Sequence, residues 1–76
     1  MTSLAESLPE AIRHASKWRD QLLETAAIMG PSGDGCRFSA AITNGFINEA
    51  VNALASGDVA RMLRAYENVK GYEDAD

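Results

Sequence analysis

The chain has 76 residues and a formal net charge of -4, with 46% apolar and 24% charged residues. This length fits a single domain, and the apolar fraction is too high for an intrinsically disordered chain. No apolar run approaches the roughly 20 residues that a membrane span needs. The first ten residues hold two acids and no base, unlike a signal peptide. We therefore expect a cytoplasmic protein that does not bind membranes.

A domain of this size usually depends on a disulfide, a metal ion, a partner chain or very close helix packing. Cys36 is the only cysteine, so no internal disulfide can form. His14 is the only histidine, so a structural zinc ion would need unusual ligands. We expect no cofactor, and we expect stability to come from helix packing or from self-association.

The first helix is predicted at about residues 8–29. Ser7 and Glu10 have the spacing of a capping box at its start, and Gly30 followed by Pro31 is typical of a helix end. Apolar residues recur between these signals at steps of three and four: Leu8, Ile12, Ala15, Trp18, Leu22, Ala26 and Met29.

The next segment, residues 30–38, is predicted as a loop because it holds three glycines and a proline. Ser39 is a suitable N-cap for a second helix at 39–56, whose wide apolar arc predicts that it is the most buried. Gly45 inside this helix favours close approach of another helix. Gly57 can end the second helix in the left-handed conformation, and Asp58 can cap a third helix at 59–70.

These elements predict an all-α fold: one domain over residues 1–76, arranged as a compact three-helix bundle that can pair as a homodimer. An acidic tail is predicted at 72–76. The residues expected to be mostly buried are Trp18, Leu22, Ile42, Phe46, Leu54, Leu63 and Tyr66. Other apolar residues lie off the main stripes and are expected to be exposed in part, which favours a dimer or a partner protein: Leu23, Ala27, Ile28, Ile47 and Val51.

The glycine-rich segment and the single cysteine are the candidates for chemistry. Cys36 and Arg37 follow Gly35, where a Walker A loop has Lys and then Ser or Thr. Arg37 could still hold an anion at the start of the second helix. A dyad of Cys36 with His14 lacks an orienting third residue, and a contact of His14 with Glu10 or Trp18 one turn away explains it more simply. We predict no enzymatic activity.

The stretch from Glu49 to Tyr66 resembles the middle of a tetratricopeptide repeat. One helix ends near Gly57, and the next carries an aromatic residue at Tyr66, although Met62 stands where the family has a small residue. Such repeats need about three copies to bury a continuous core, and this chain has one. The resemblance therefore implies a similar helical hairpin.

Without a catalytic constellation, the leading prediction is a small acidic protein–protein interaction module. Inhibitors or adaptors encoded by phages or mobile elements are of this kind, for example anti-defence proteins such as anti-CRISPR proteins. An acidic surface of this type occupies a basic groove on a target protein, including a nucleic-acid-binding one. Residues 39–76 carry six acids and three bases. The predicted partner-binding residues are Glu49, Asp58, Glu67, Glu73, Asp74 and Asp76.

Three alternatives remain open. The second and third helices could form a helix-turn-helix-like regulatory DNA-binding domain, with Arg61, Arg64 and Lys70 on the reading helix. The negative charge of this half speaks against direct contact with nucleic acid. A small enzyme or enzyme subunit that uses Cys36 or the glycine-rich loop is the second alternative, and a structural subunit of a larger assembly is the third.

Overall fold

The computed structural model describes residues 3–75, with side chains over residues 3–72. Three α-helices and two 3₁₀-helices follow one another in this part of the chain: α1 (Leu4–Met29), a 3₁₀-helix (Gly30–Gly33), α2 (Asp34–Ser56), α3 (Val59–Val69) and a second 3₁₀-helix (Lys70–Ala75). The prediction of an all-α fold is confirmed. Over residues 3–75, no helix combines the length and apolarity that crossing a membrane requires.

Helical structure runs without a loop from Leu4 to Ser56. A straight helix of that length would extend about 80 Å at 1.5 Å per residue, but the longest dimension of the molecule is 41 Å. The chain therefore reverses at Gly30–Gly33, and α2 packs back along α1. The predicted loop at 30–38 is wrong from Asp34 onward, because α2 begins there and not at Ser39.

Two glycines make this reversal tight. Gly30 has a φ of 66°, a backbone conformation that residues with a side chain disfavour. Its N–H donates a hydrogen bond to the carbonyl oxygen of Ala26. A Cβ on Gly33 would lie 2.7 Å from Cα of Ala26. The first 3₁₀-helix therefore lies directly against α1, and the glycines form a compact turn where the sequence predicts a flexible loop.

The start of α1 also differs from the prediction. The helix begins at Leu4, with Ser3 as its N-cap and Pro9 inside it, so the capping box at Ser7 is wrong. Carbonyl oxygen of Ser3 accepts the N–H groups of Glu6 and Ser7. Because of these backbone hydrogen bonds, α1 begins earlier than the predicted capping box at Ser7 indicates. Pro9 therefore lies inside the helix and not at its first turn.

The boundary between α2 and α3 is as predicted. Gly57 ends α2 with a left-handed φ of 72°. The carboxylate of Asp58 accepts the N–H groups of Ala60 and Arg61 at 3.0 and 3.2 Å, so it caps α3. The sequence predicts this turn correctly because it depends on two adjacent residues, Gly57 and Asp58, and on hydrogen bonds to their near neighbours.

The core that joins the three helices consists largely of small residues. Its buried members are Leu8, Ala11, Ala15, Ile47, Ala50, Ala53, Met62, Ala65 and Val69. On α1 this cluster stops at Ala15 and on α2 it starts at Ile47, while Ala26 and Ala40 are buried separately from it. We call the part built on the cluster the three-helix end. We call residues 22–42, which include the turn, the hairpin end.

None of the seven residues predicted to be mostly buried is fully buried. Five of the expected residues are partly buried: Trp18, Leu22, Phe46, Leu54 and Tyr66. The predictions for Ile42 and Leu63 are wrong, because these side chains are 45% and 53% exposed. Met62, Ala65 and Val69 take the inner side of α3 and leave Leu63 on its outer side.

The compact three-helix bundle is not clearly reproduced, because α3 is short. Its eleven residues span about 16 Å, against about 39 Å for α1. The radius of gyration is 13.3 Å, whereas a compact domain of this length has about 11.4 Å. The molecule is therefore elongated, and α1 and α2 project beyond the shared core as a helical hairpin.

Candidate interaction surface

Large apolar side chains are exposed mainly at the hairpin end. Among the described residues, the exposed large hydrophobic residues are Leu23, Ile28, Met29, Phe38, Ile42, Val51, Val59 and Leu63. The first five belong to the hairpin end, and we call these five residues the hairpin patch. Ile28 is 82% exposed and Phe38 is 69% exposed. The concentration of exposed apolar side chains at one end of the molecule makes that end the candidate interaction site.

The sequence predicts part of this surface. Leu23, Ile28 and Val51 are exposed as expected, but Ile47 is buried in the shared core. The sequence predicts no such exposure for Phe38, because this residue falls in the predicted loop at 30–38. Phe38, Ile42 and Phe46 follow one another at intervals of four residues. This spacing is typical of a helix and is the signal that places Phe38 on α2.

One side of the hairpin patch continues the face that α3 covers. Leu8, Ala15, Leu22 and Met29 follow at intervals of seven residues on α1 and so share one stripe, since seven residues are almost two turns. Leu8 and Ala15 are fully buried, Leu22 is partly buried, and Met29 is 45% exposed. Exposure rises steadily toward the turn.

The matching stripe on α2 shows the same trend. Ala50 is fully buried, Phe46 is partly buried and Ile42 is exposed, and these residues follow at intervals of four. The hydroxyl groups of Tyr72 and Thr43 lie 3.1 Å apart, which fixes the start of the second 3₁₀-helix beside α2. We call Leu22, Met29 and Ile42 the uncovered face.

A groove of about 410 Å³ lies between α1 and α2 at the junction of the two ends. Its lining residues are Arg19, Asp20, Leu23, Arg37, Ala40, Ala41 and Asn44. Arg19 donates to Asn44 Oδ1 at 2.7 Å and so links the two helices. The polar groups of this groove, Arg19 and Asn44 among them, therefore lie at the edge of the hairpin patch, beside Leu23.

Arg37 has a structural role at the turn. Its Nη2 donates to the carbonyl oxygens of Ala26 and Gly30 at 3.1 and 3.0 Å, and its Nη1 donates to Asp34 at 2.8 Å. A cation on the last carbonyls of a helix stabilises that helix end. These contacts explain Arg37 without the bound anion that the sequence suggests.

The structure does not bring Cys36 and His14 together. Cys36 is partly buried near the start of α2, beside the turn that packs on Ala26. His14 lies twelve residues before Ala26, or about 18 Å along α1, with its Nε2 3.4 Å from Glu10. Within residues 3–72, no three His, Cys, Asp or Glu side chains are grouped as metal ligands.

The predicted partner-binding acids that the structure describes all have contacts within the chain. Glu49 accepts from Arg61 Nη2 at 3.1 Å, Asp58 caps α3, and Glu67 lies 3.0 Å from Lys70 Nζ. The hydrogen bond that Lys70 donates to Glu67 holds the pKa of Lys70 above its usual value. The remaining predicted acids lie outside the described side chains: Glu73, Asp74 and Asp76.

The same pairs bear on the helix-turn-helix alternative. Arg61 and Lys70, two of the cations expected to read DNA, are both ion-paired with acids of this chain. Pairing with internal carboxylates reduces the positive field that phosphate contacts need. Two of the three cations named for the reading helix are therefore offset by acids of the same chain.

Comparison with protein-family models, curated proteins and solved structures found no match to this chain. The tetratricopeptide-like stretch thus remains a resemblance of one helical hairpin. Function is inferred from the surface of the molecule itself.

Proposed function

We propose that this protein is a small acidic, non-enzymatic interaction module that binds a partner protein through the hairpin patch. The observation that carries this proposal is the exposure of five large apolar side chains around one end of the molecule. Burial of such a side chain contributes about 1.5–3 kcal/mol. In the isolated chain Ile28 and Phe38 leave most of this contribution unused, and the other three side chains leave nearly half of it unused. A partner with an apolar groove can provide the remainder.

Phe38 and Ile28 are the expected main anchors of the contact. They are the two most exposed members of the hairpin patch, and large anchors that fill pockets supply most of the binding energy in protein interfaces. Arg19 and Asn44 at the groove provide polar contacts at the edge of the same surface. An apolar centre with a polar rim is the usual organisation of an interface.

Charge adds a preference among partners. The net charge of -4 favours association with basic proteins, which suits an inhibitor or adaptor of the phage or mobile-element kind. Glu73, Asp74 and Asp76 are the acids best suited to such contacts, because Glu49, Asp58 and Glu67 already bind groups of this chain. A cytoplasmic location belongs to the same proposal, since a lone thiol suits a reducing compartment.

The test is affinity capture from the source cell with the wild-type chain and matched variants, followed by mass spectrometry. Phe38→Gln and Ile28→Gln remove apolar anchors from the hairpin patch. Val59→Gln is the control, because Val59 is 68% exposed at the three-helix end. We expect a partner that is retained by the wild type and the control but lost with both patch variants. Equal capture by all four proteins would show that the hairpin patch is not the binding surface.

A further inference from the structure

We infer that the uncovered face, formed by Leu22, Met29 and Ile42, binds a basic amphipathic helix of a partner protein. The inference rests on the proposed function, because it names the chemistry of the segment that covers part of the same surface. Two observations select this segment. The hairpin already holds one amphipathic helix, α3, on the same side, and the acidic end of the chain lies beside the open part.

The first observation is the path of the chain after α2. Arg61, near the start of α3, pairs with Glu49 of α2. Tyr72 lies beside Thr43, which comes earlier in α2. The chain therefore runs back along α2 from the three-helix end and reaches the residue next to Ile42. The uncovered face lies further along the same path, toward the turn.

A helix is the element that fits this path. On α3, Met62, Ala65 and Val69 are buried in the shared core, whereas Arg64 and Glu67 are exposed. The uncovered face extends over about 10 Å of α1, or two helical turns, at 1.5 Å per residue. A short amphipathic helix of a partner therefore has a place on the hairpin equivalent to that of α3.

The second observation is the charge beside this path. Glu73 and Asp74 follow Tyr72 directly in the sequence, and residues of a 3₁₀-helix advance by only about 2 Å each. The hydroxyl groups of Tyr72 and Thr43 are 3.1 Å apart. The backbone that carries both acids therefore stays close to Tyr72 and to the start of the uncovered face.

The charged residues in the segments around the uncovered face sum to a negative charge. Residues 17–42 carry three acids and three bases, whereas residues 67–76 carry four acids and one base. That one base, Lys70, is paired with Glu67 at 3.0 Å. The net charge of these segments is therefore -3, all of it from the end of the chain. Such a site favours a segment with lysine or arginine and disfavours an acidic segment, a nucleic acid or an anionic lipid surface.

Binding of synthetic peptides to the purified full chain tests the inference. The first peptide has about 15 residues, with leucine at helical spacing on one face and lysine on the other. The second peptide keeps the leucines and replaces each lysine by glutamate. In NMR titrations at low salt, we expect the lysine peptide to bind with a dissociation constant below about 1 mM. The glutamate peptide should bind at least about tenfold more weakly.

Variants of the uncovered face locate the apolar part of the contact. Ile42→Gln should weaken binding of the lysine peptide at least about threefold, because an apolar contact is lost. Met29→Gln on α1 tests the same face if Ile42→Gln loses its helical circular dichroism. Val51→Gln is the matched control, because Val51 is exposed to a similar extent (49%) outside the hairpin end. It should bind the peptide like the wild type.

A charge reversal at the end of the chain tests the selection for a basic partner. Glu73→Lys should weaken binding of the lysine peptide at least about threefold at low salt, and less at high salt, where charges are screened. Glu6→Lys is the control, because it makes the same change of charge about 24 Å from Leu22 along α1. It should weaken binding clearly less than Glu73→Lys does.

Failure of the lysine peptide to bind, or equal binding of both peptides, would overturn the inference. Equal effects of the face variants and their control, or of the two charge reversals, would also overturn it. The proposed function is tested separately by the capture experiment, since neither Phe38 nor Ile28 belongs to the uncovered face. A captured partner that is lost with those variants leaves the proposed function intact even if no peptide binds. Peptide binding without such a partner would contradict that proposal alone.

Discussion

The two ends of this molecule use apolar residues in opposite ways. At the three-helix end, most of the buried positions are small, with Ala11, Ala15, Ala50 and Ala53 fully enclosed. At the hairpin end, buried Ala26 and Ala40 hold the helices together, while the large side chains point outward. Small residues let helix backbones approach closely. The three-helix end is therefore packed through its alanines, whereas the large side chains of the hairpin end are exposed to solvent.

The difference separates residues that stabilise the fold from residues available for binding. A large side chain buried among three helices contributes its full transfer free energy to folding. A large side chain of the hairpin patch contributes little until something covers it. The same amino acid should therefore have different energetic effects at the two ends of one helix.

The largest expected effect compares two leucines of α1. Leu8→Ala should cost about 2–5 kcal/mol of unfolding free energy, because it leaves a cavity in the shared core. Leu23→Ala should cost less than about 1 kcal/mol, because Leu23 is 46% exposed and surface changes are usually small. Urea denaturation followed by circular dichroism measures both. Equal losses would mean that the hairpin end is packed as firmly as the three-helix end.

The next comparison concerns the turn that creates the hairpin end. Gly33→Ala should destabilise the fold by about 1–3 kcal/mol, because a crowded core position resists added volume and the new Cβ meets the backbone of Ala26. Gly35→Ala is the control, since no atom lies within 4 Å of its Cβ position. It should be neutral or stabilising by up to about 1 kcal/mol, from helix propensity. Destabilisation by both changes alike would point to a flexible turn in place of a packed one.

The sequence predicts the fold class well, because helical periodicity and caps are local. Gly57 and Asp58 define a helix boundary whose hydrogen bonds all lie within a few residues. The glycines of the turn suit a flexible loop and a close contact equally well, so the sequence alone does not predict the packed turn. Only the position of Ala26 against Gly33 distinguishes these cases, and that contact forms once α2 has packed on α1.

The candidate surface depends on contacts between helices that are far apart in the sequence, which the sequence pattern of one helix does not show. Whether Ile42 is buried depends on how far α3 reaches along the hairpin, and nothing in the stripe that contains Ile42 encodes that reach. Ala15 belongs to the predicted stripe of α1, but Ala11, Ala53 and Ala65 are not expected in the core, because large residues are the usual markers of a helix face. The exposure of Ile28 and Leu23 is predictable, because both residues lie away from the main stripe of α1.

A smaller effect is expected where α3 begins. Asp58→Ala removes the side-chain cap of α3 and should cost about 1 kcal/mol. Amide hydrogen exchange should then speed up over α3, whereas α1 and α2 at the hairpin end should be affected less. Asp58→Asn keeps a capping oxygen and should restore most of the protection. A uniform loss of protection would mean that the two ends unfold together.

The smallest expected effect tests whether surface charge contributes to the difference between the ends. The hydrogen bond from Arg13 holds the pKa of Glu10 below its usual value. A lowered pKa in the folded state gives a stabilisation that is present above the unfolded pKa and is lost as the pH falls through the folded one. Because both groups are largely exposed, solvent screens the pair.

Arg13→Ala should therefore raise the pKa of Glu10 in an NMR titration while leaving the unfolding free energy at neutral pH almost unchanged. Arg13→Lys keeps the positive charge and should raise the pKa less. A substantial loss of stability with Arg13→Ala would mean that ion pairs on α1 help to hold the three-helix end. Without such a loss, its stability is attributable to the small-residue core, and the apolar surface of the hairpin end remains available for a partner.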